Sequence, residues 1–132
     1  MVADDHDYTR TIIAEILRGA GVREVFIVTG WKAEVIESWF GDGSRLGLKI
    51  AYGRQVVQDG TGKAPELARE WVGDSPFILT YGDILVFPET YQEMVRRFSA
   101  GGFNGVVTVT GSEDVTKGGK LVGGKKYCDG WP

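Results

Sequence analysis

Cysteine and histidine are almost missing from this 132-residue sequence, which has only Cys128 and His6. A lone cysteine excludes an internal disulfide and a cysteine-built zinc site, and a lone histidine leaves a metal cluster without partners. His6 therefore reads as an incidental surface residue. Thr11, Ser38 and Ser44 have no histidine to activate them, so a serine–histidine site is not expected. No apolar run approaches the roughly 18 residues of a membrane span. The N-terminal MVADDHDYTR is acidic, unlike a signal peptide, and the cytoplasm is the default compartment. Excess positive charge is lacking too. The net charge is −3, so no footprint for nucleic acid is expected.

What is present is ordinary for one globular domain. Hydrophobic residues make up 42% and charged residues 25%. The 20 glycines fall in clusters such as Gly41-Gly43, Gly60-Gly62, Gly101-Gly102, Gly118-Gly119 and Gly123-Gly124. They punctuate alternating elements with tight loops. Asp7 can cap a helix beginning near Tyr8, with Ile12, Ile13, Ile16, Leu17 and Ala20 at helical spacing. Glu24 to Thr29 is a nearly continuous apolar run, as in a strand covered on both faces. A helix follows from about Lys32 to Phe40, with Val35, Ile36, Trp39 and Phe40 as its stripe. Leu48 to Tyr52 is the next strand, and Arg54 to Gly62 a polar loop. Ala64 to Val72 is a short helix with Pro65 in its first turn and Leu67, Ala68 and Trp71 facing inward. Pro76 to Tyr81 reads as a strand, Pro88 to Ala100 as a helix, and Gly105 to Thr110 as a strand. A weaker strand is expected around Lys120 to Val122. The alternation predicts an α/β fold with a mostly parallel sheet covered by helices on both faces. The domain is expected over residues 1–124, with 125–132 a tail.

Three features bear on chemistry. Phe77 to Tyr81 ends in Gly82-Asp83. A carboxylate just past a central strand is well placed for a divalent metal, because open α/β sheets bind ligands beyond the carboxyl ends of their strands. The plainer alternative for Gly82-Asp83 is a turn or helix cap. Gly60-Thr61-Gly62-Lys63 resembles a phosphate-binding loop only superficially. Val57 stands where that motif needs glycine, and Ala64 where it needs Ser or Thr. Backbone N–H groups of Gly60, Thr61 and Gly62 could still meet an anion or a carbonyl oxygen, the alternative being a plain turn. Asp42, within Gly41-Asp42-Gly43, reads as structural, and Trp31, Trp39 and Trp71 as core or rim packing.

Taken in order, four segments resemble the sugar-phosphate nucleotidyltransferases, the family of glucose-1-phosphate cytidylyl- and thymidylyltransferases and mannose-1-phosphate guanylyltransferases. They are Ala20 to Trp31, Val35 to Gly47, Tyr52 to Gln55 with Gly60-Thr61-Gly62 and Leu67-Ala68, and Phe77 to Asp83. The similarity runs from about Ile12 to Val122. It implies a three-layer Rossmann-like α/β fold and transfer of a nucleotidyl group from a nucleoside triphosphate to a sugar 1-phosphate. It further implies Mg2+ held by Asp83, Gly82 close to the nucleotide, and Gln55 with Gly60 and Thr61 reading the base edge.

The family opens with a strand and a GGxGTRL-type phosphate loop, then a Lys-Pro pair. The residues ahead of the first helix here match none of these. A second metal-binding Asp of the family also has no counterpart. The resemblance therefore implies a truncated domain lacking its first strand, inactive alone but retaining nucleotide and Mg2+ binding. The alternative is a non-enzymatic binding or assembly module. In this family the missing strand lies between those at Glu24 to Thr29 and Pro76 to Tyr81. Unpaired edges are expected there, which the two strands could close by pairing directly or by pairing with a second copy, and a homodimer or larger homo-oligomer is expected.

Overall fold

The computed structural model describes residues 5–57, 60, 62–82, 84, 86–102 and 104–109. Helix α1 (Asp5–Gly19) leads into strand β1 (Glu24–Thr29), helix α2 (Ala33–Phe40) and strand β2 (Lys49–Arg54). A 3-10 turn at Ser44–Leu46 precedes β2, and another at Ala64–Ala68 runs into the short helix α3 (Arg69–Val72). Helix α4 (Pro88–Ser99) follows. The first helix begins at Asp5, so Asp7 lies inside it and not at its cap.

The two strands pair in parallel, with Glu24 opposite Lys49 and Thr29 opposite Arg54. Successive side chains of a strand point to opposite faces, so this register makes two layers of contacts. On one face, Val25, Ile27, Ile50 and Tyr52 meet Ala14 of α1, Phe40 of α2, and Leu46 and Leu48. On the other, the Phe26 ring packs against Trp71 of α3, with centroids 5.6 Å apart. A Cβ on Gly53 would come within 2.8 Å of the Phe26 ring and 3.3 Å of Leu67 Cβ, so glycine is what lets this layer close. Helix, sheet and helix thus form the three-layer α/β arrangement expected of the sequence. α4 packs beside α1.

The outer edge of β2 is tied down. Asp42 carbonyl accepts from Ile50 N–H at 3.0 Å, and Gly43 carbonyl from Leu48 N–H at 3.1 Å. Asp42 Oδ1 accepts from Ser44 N–H at 3.0 Å, an Asx turn that agrees with a structural part for this residue. Gly43 sits at φ +84, and a Cβ there would lie 2.6 Å from Ile50 Cγ1 and 2.7 Å from the Leu48 carbonyl. Only glycine fits that turn without displacing β2.

Two predicted strands are not strands. Residues 76–81 and 105–109 belong to no ladder, and among the described residues the sheet holds β1 and β2 alone. An apolar run becomes a strand only when a second backbone takes its hydrogen bonds, and no described segment does so here. In residues 76–81, Phe77 is 64%, Leu79 59% and Tyr81 50% exposed. Thr110 and the weaker strand at Lys120 to Val122 lie outside the described residues, as does the tail 125–132. Among the described residues, no helix is long and apolar enough to cross a membrane.

Candidate functional site

The carboxyl ends of β1 and β2 meet at Thr29 and Arg54, which are register partners. Thr29 is buried, and its hydroxyl donates to Glu37 Oε1 at 3.3 Å. Arg54 bonds the same Glu37 carboxylate through Nε at 3.3 Å and Nη2 at 3.1 Å. It also pairs with Glu34 at 3.0 Å. The bond to Glu37, and then the charge of Glu34, hold the guanidinium charged and raise its pKa. Two carboxylates from α2 therefore occupy Arg54 and tie that helix to the end of the sheet. Burial, then Glu37 and Asp42, push the neighbouring Tyr52 phenol up as well. This cluster was not foreseen from sequence. The signal for it is the parallel register, which sets Thr29 beside Arg54, combined with the i, i+3 spacing of Glu34 and Glu37 on α2.

β2 runs on to Arg54, past the Tyr52 expected as its end, because the ladder continues into the next residue. Gln55 N–H donates to the Thr29 carbonyl at 2.8 Å. That bond fixes the backbone of Gln55 at the carboxyl end of β1. Gln55 Nε2 donates to the Gly60 carbonyl at 3.2 Å, and Lys63 N–H donates to the same oxygen at 3.3 Å. Gln55 and Gly60, both candidates for reading a base edge, are thus side by side. Among the described residues other than its chain neighbours, no heavy atom lies within 4 Å of where a Cβ of Gly60 would be.

Gly82 sits in a turn closed by Ile84 N–H to the Tyr81 carbonyl at 3.4 Å, and among the described residues other than its chain neighbours nothing lies within 4 Å of where its Cβ would be. Thr80 Oγ1 and the Tyr91 hydroxyl, 2.9 Å apart, tether this segment to α4. No described hydrogen bond joins Gly82 to the Gln55–Gly60 pair. Asp83 and Thr61 lie outside the described residues.

Trp31 departs from the packing expected of it. It is 78% exposed in the turn after β1, with Lys32 Nζ 4.4 Å from its ring centroid. Lys32 occupies the left-handed region at φ 54, an uncommon position for a residue with a Cβ. Trp71 packs as expected, on Phe26.

Among the described residues, no group of three or more His, Cys, Asp or Glu could hold a metal ion. Magnesium is often bound through one or two carboxylates plus water and substrate phosphates. A single carboxylate such as Asp83 suits it only in company with a bound nucleotide.

Three-layer α/β domains with parallel strands form a class that binds small molecules beyond the carboxyl ends of those strands. The chain belongs to the nucleotidyl transferase family, whose sequence model matches residues 7–119. Within it, the relatives are sugar-phosphate nucleotidyltransferases. A glucose-1-phosphate thymidylyltransferase of Streptomyces griseus is 37% identical over 86 residues, covering 65% of this chain and 24% of that protein. The low-salt glycan biosynthesis nucleotidyltransferase Agl11 of Haloferax volcanii is 34% identical over 90 residues, covering 67% of this chain and 25% of its own length. A mannose-1-phosphate guanylyltransferase catalytic subunit beta of Dictyostelium discoideum is 29% identical over 111 residues, covering 82% and 30%. The chain thus spans about a quarter to a third of the length of these curated relatives.

Proposed function

We propose that this domain binds the nucleoside triphosphate of a sugar-phosphate nucleotidyltransferase reaction. In that reaction a phosphate oxygen of a sugar 1-phosphate bonds to the α-phosphorus as the bond to pyrophosphate breaks. The observation that carries the reading is the Gln55 Nε2 to Gly60 carbonyl bond at the carboxyl end of β2. It sets a carboxamide and a glycine backbone together at one position, the kind of polar edge that a nucleobase matches. By the family resemblance Thr61 and Gly82 would also contact the nucleotide, and Asp83 would hold Mg2+ together with the triphosphate. Mg2+ would supply charge neutralisation at the phosphates.

Catalysis of this kind depends on positioning and on cations around the phosphates. Arg54 is committed to Glu34 and Glu37, and the chain has no match to the family's phosphate-loop Arg and Lys. The isolated domain therefore binds without turning over. It works in the cytoplasm as a homo-oligomer, a reading favoured by apolar segments that pair with no described residue.

Calorimetric titration with a panel of nucleoside triphosphates, with and without Mg2+, tests this on wild type, Gln55→Ala and Asp83→Ala. Mg2+-dependent binding that Asp83→Ala abolishes and Gln55→Ala weakens about tenfold is expected, the loss of one recognition contact. No binding by the wild type would turn the reading toward a non-enzymatic assembly module. Pyrophosphate release by the purified chain would overturn its inactivity.

A further inference from the structure

Gln55 is the first residue past β2, and one side chain grips the residues on both sides of its backbone bond. The Gln55 N–H donates to the Thr29 carbonyl at 2.8 Å. Glu37 Oε1 accepts from the Thr29 hydroxyl at 3.3 Å and from Arg54 Nε at 3.3 Å, and Glu37 Oε2 accepts from Arg54 Nη2 at 3.1 Å. Glu37 thus bonds the residue that precedes Gln55 in the chain and the residue that holds its N–H. Side chains alternate along a strand, so Thr29 and Arg54, as register partners, turn to the same face of the sheet. Glu37 reaches them there from α2.

Glu34 does less. It pairs with Arg54 at 3.0 Å, but its side chain is 73% exposed against 31% for Glu37. No described hydrogen bond joins it to Thr29. An exposed ion pair of that kind adds little. A two-pronged bond between a guanidinium and a partly buried carboxylate adds both strength and direction. Loss of Glu37 would not orphan the buried Thr29 hydroxyl, since the Gly53 carbonyl lies 3.5 Å from it. The loss would fall on Arg54, and through it on Gln55.

We propose that Glu37 is a positioning residue for nucleobase recognition: it fixes the end of β2 so that the Gln55 carboxamide, bonded to the Gly60 carbonyl at 3.2 Å, stands in place before a base arrives. The ligand is the base of a nucleoside triphosphate, so this inference rests on the nucleotide reading above. Glu37 acts through Arg54 and Thr29 and not on the ligand. Its effect is pre-organisation: a side chain already ordered in the free protein loses no further freedom on binding, and affinity rises by that difference.

A double-mutant cycle on the full chain tests it, by calorimetric titration with Mg2+ and the nucleoside triphosphate that wild type binds most tightly. Glu37→Ala should weaken binding about fivefold, the scale of one side chain left to be ordered. In the Gln55→Ala background it should cause no further loss, because the two residues act as one unit. Glu34→Ala should weaken binding less than Glu37→Ala does. Glu37→Gln keeps an oxygen for the Thr29 hydroxyl but drops the charge that grips Arg54, and it serves in the same cycle should Glu37→Ala unfold. Without ligand, the Gln55 amide should exchange about tenfold faster in the Glu37 variant than in wild type, at equal far-ultraviolet dichroism. No binding by wild type would overturn the nucleotide reading and this inference with it. Binding by wild type would leave that reading in place. A Glu37 loss that then persists undiminished in Gln55→Ala, an equal loss in Glu34→Ala, or equal exchange of the Gln55 amide would overturn this inference alone.

Discussion

The two edges of the small sheet are finished in opposite ways. Along β2 the chain folds back on itself: the Asp42 and Gly43 carbonyls take the N–H groups of Ile50 and Leu48, and the Tyr52 hydroxyl bonds to the Gly41 carbonyl. Along β1, Glu24, Phe26 and Val28 meet no described partner. The two strands differ in composition as well, EVFIVT in β1 against KIAYGR in β2. What closes the β2 edge is a glycine-rich turn next in sequence to β2. An edge is closed cheaply when the residues that close it are local, because little chain must be ordered to do so. Among the described residues the β1 edge has no such local closure.

The heaviest blow to this contrast is Gly43→Val. Its Cβ would collide with Ile50 Cγ1 and the Leu48 carbonyl, in a backbone conformation a β-branched residue resists. A loss of about 3 kcal/mol is expected from strain and overpacking together, seen as a melting temperature lower by about 10 °C. A variant melting with the wild type would mean that the turn does not clasp β2. Hydrogen exchange reads the other edge directly. At concentrations where the protein is monomeric, the amides of Phe26 and Val28 should exchange about tenfold or more faster than those of Val25 and Ile27. Equal protection within β1 would show that its outer edge is covered after all.

That contrast also marks how far the sequence could be read. β1 was legible to the residue because Glu24 to Thr29 is a continuous apolar run with a glycine on either side, at Gly21 and Gly30. α2 and α4 showed in their helical stripes, although Val35 of the α2 stripe is 51% exposed. Residues 76–81 carry an equally strong apolar run and still form no strand, since strand formation is a relation between two backbones and sequence shows only one of them. The family was legible through motifs, whereas the bond between Gln55 and Gly60 was not foreseen. Nor was the Thr29–Glu37–Arg54 cluster, for it exists only once the register of two strands is set. Trp31 misled because a tryptophan beside a strand usually packs, whereas here the turn after β1 carries it outward.

A gentler cut at the clasp is Tyr52→Phe. It removes one hydroxyl bond to the Gly41 carbonyl and leaves the ring in the core, so a loss of about 1 kcal/mol is expected in a denaturant melt. No change would assign the β2 edge to its backbone bonds alone. The same substitution should leave the oligomeric state untouched, because it acts on the closed side of the sheet.

Acid provides the finest comparison. Hydrogen bonds from Ser44, side chain first and then backbone, hold the Asp42 carboxyl below its ordinary range. Arg96 and then Arg97 hold Glu93 on α4 down at about 2. Each group has a lower pKa folded than unfolded. Its contribution is therefore present above the unfolded value and is lost as pH falls through the folded one. For Glu93 that window runs from about 4.5 to about 2. Both groups sit at the surface, so the acid limb of the stability curve should be shallow. Asn at position 42 keeps an oxygen for Ser44 N–H but cannot be protonated in this range. Asp42→Asn should therefore melt close to wild type at pH 7 and lose less stability on acidification, while Glu93→Gln removes the α4 part of the same limb. Measured by thermal melts at half-unit steps from pH 6 to pH 3, an acid limb unchanged in Asp42→Asn would show that the Asx turn adds nothing beyond the backbone. In that case the difference between the two edges rests on the Asp42 and Gly43 carbonyls alone.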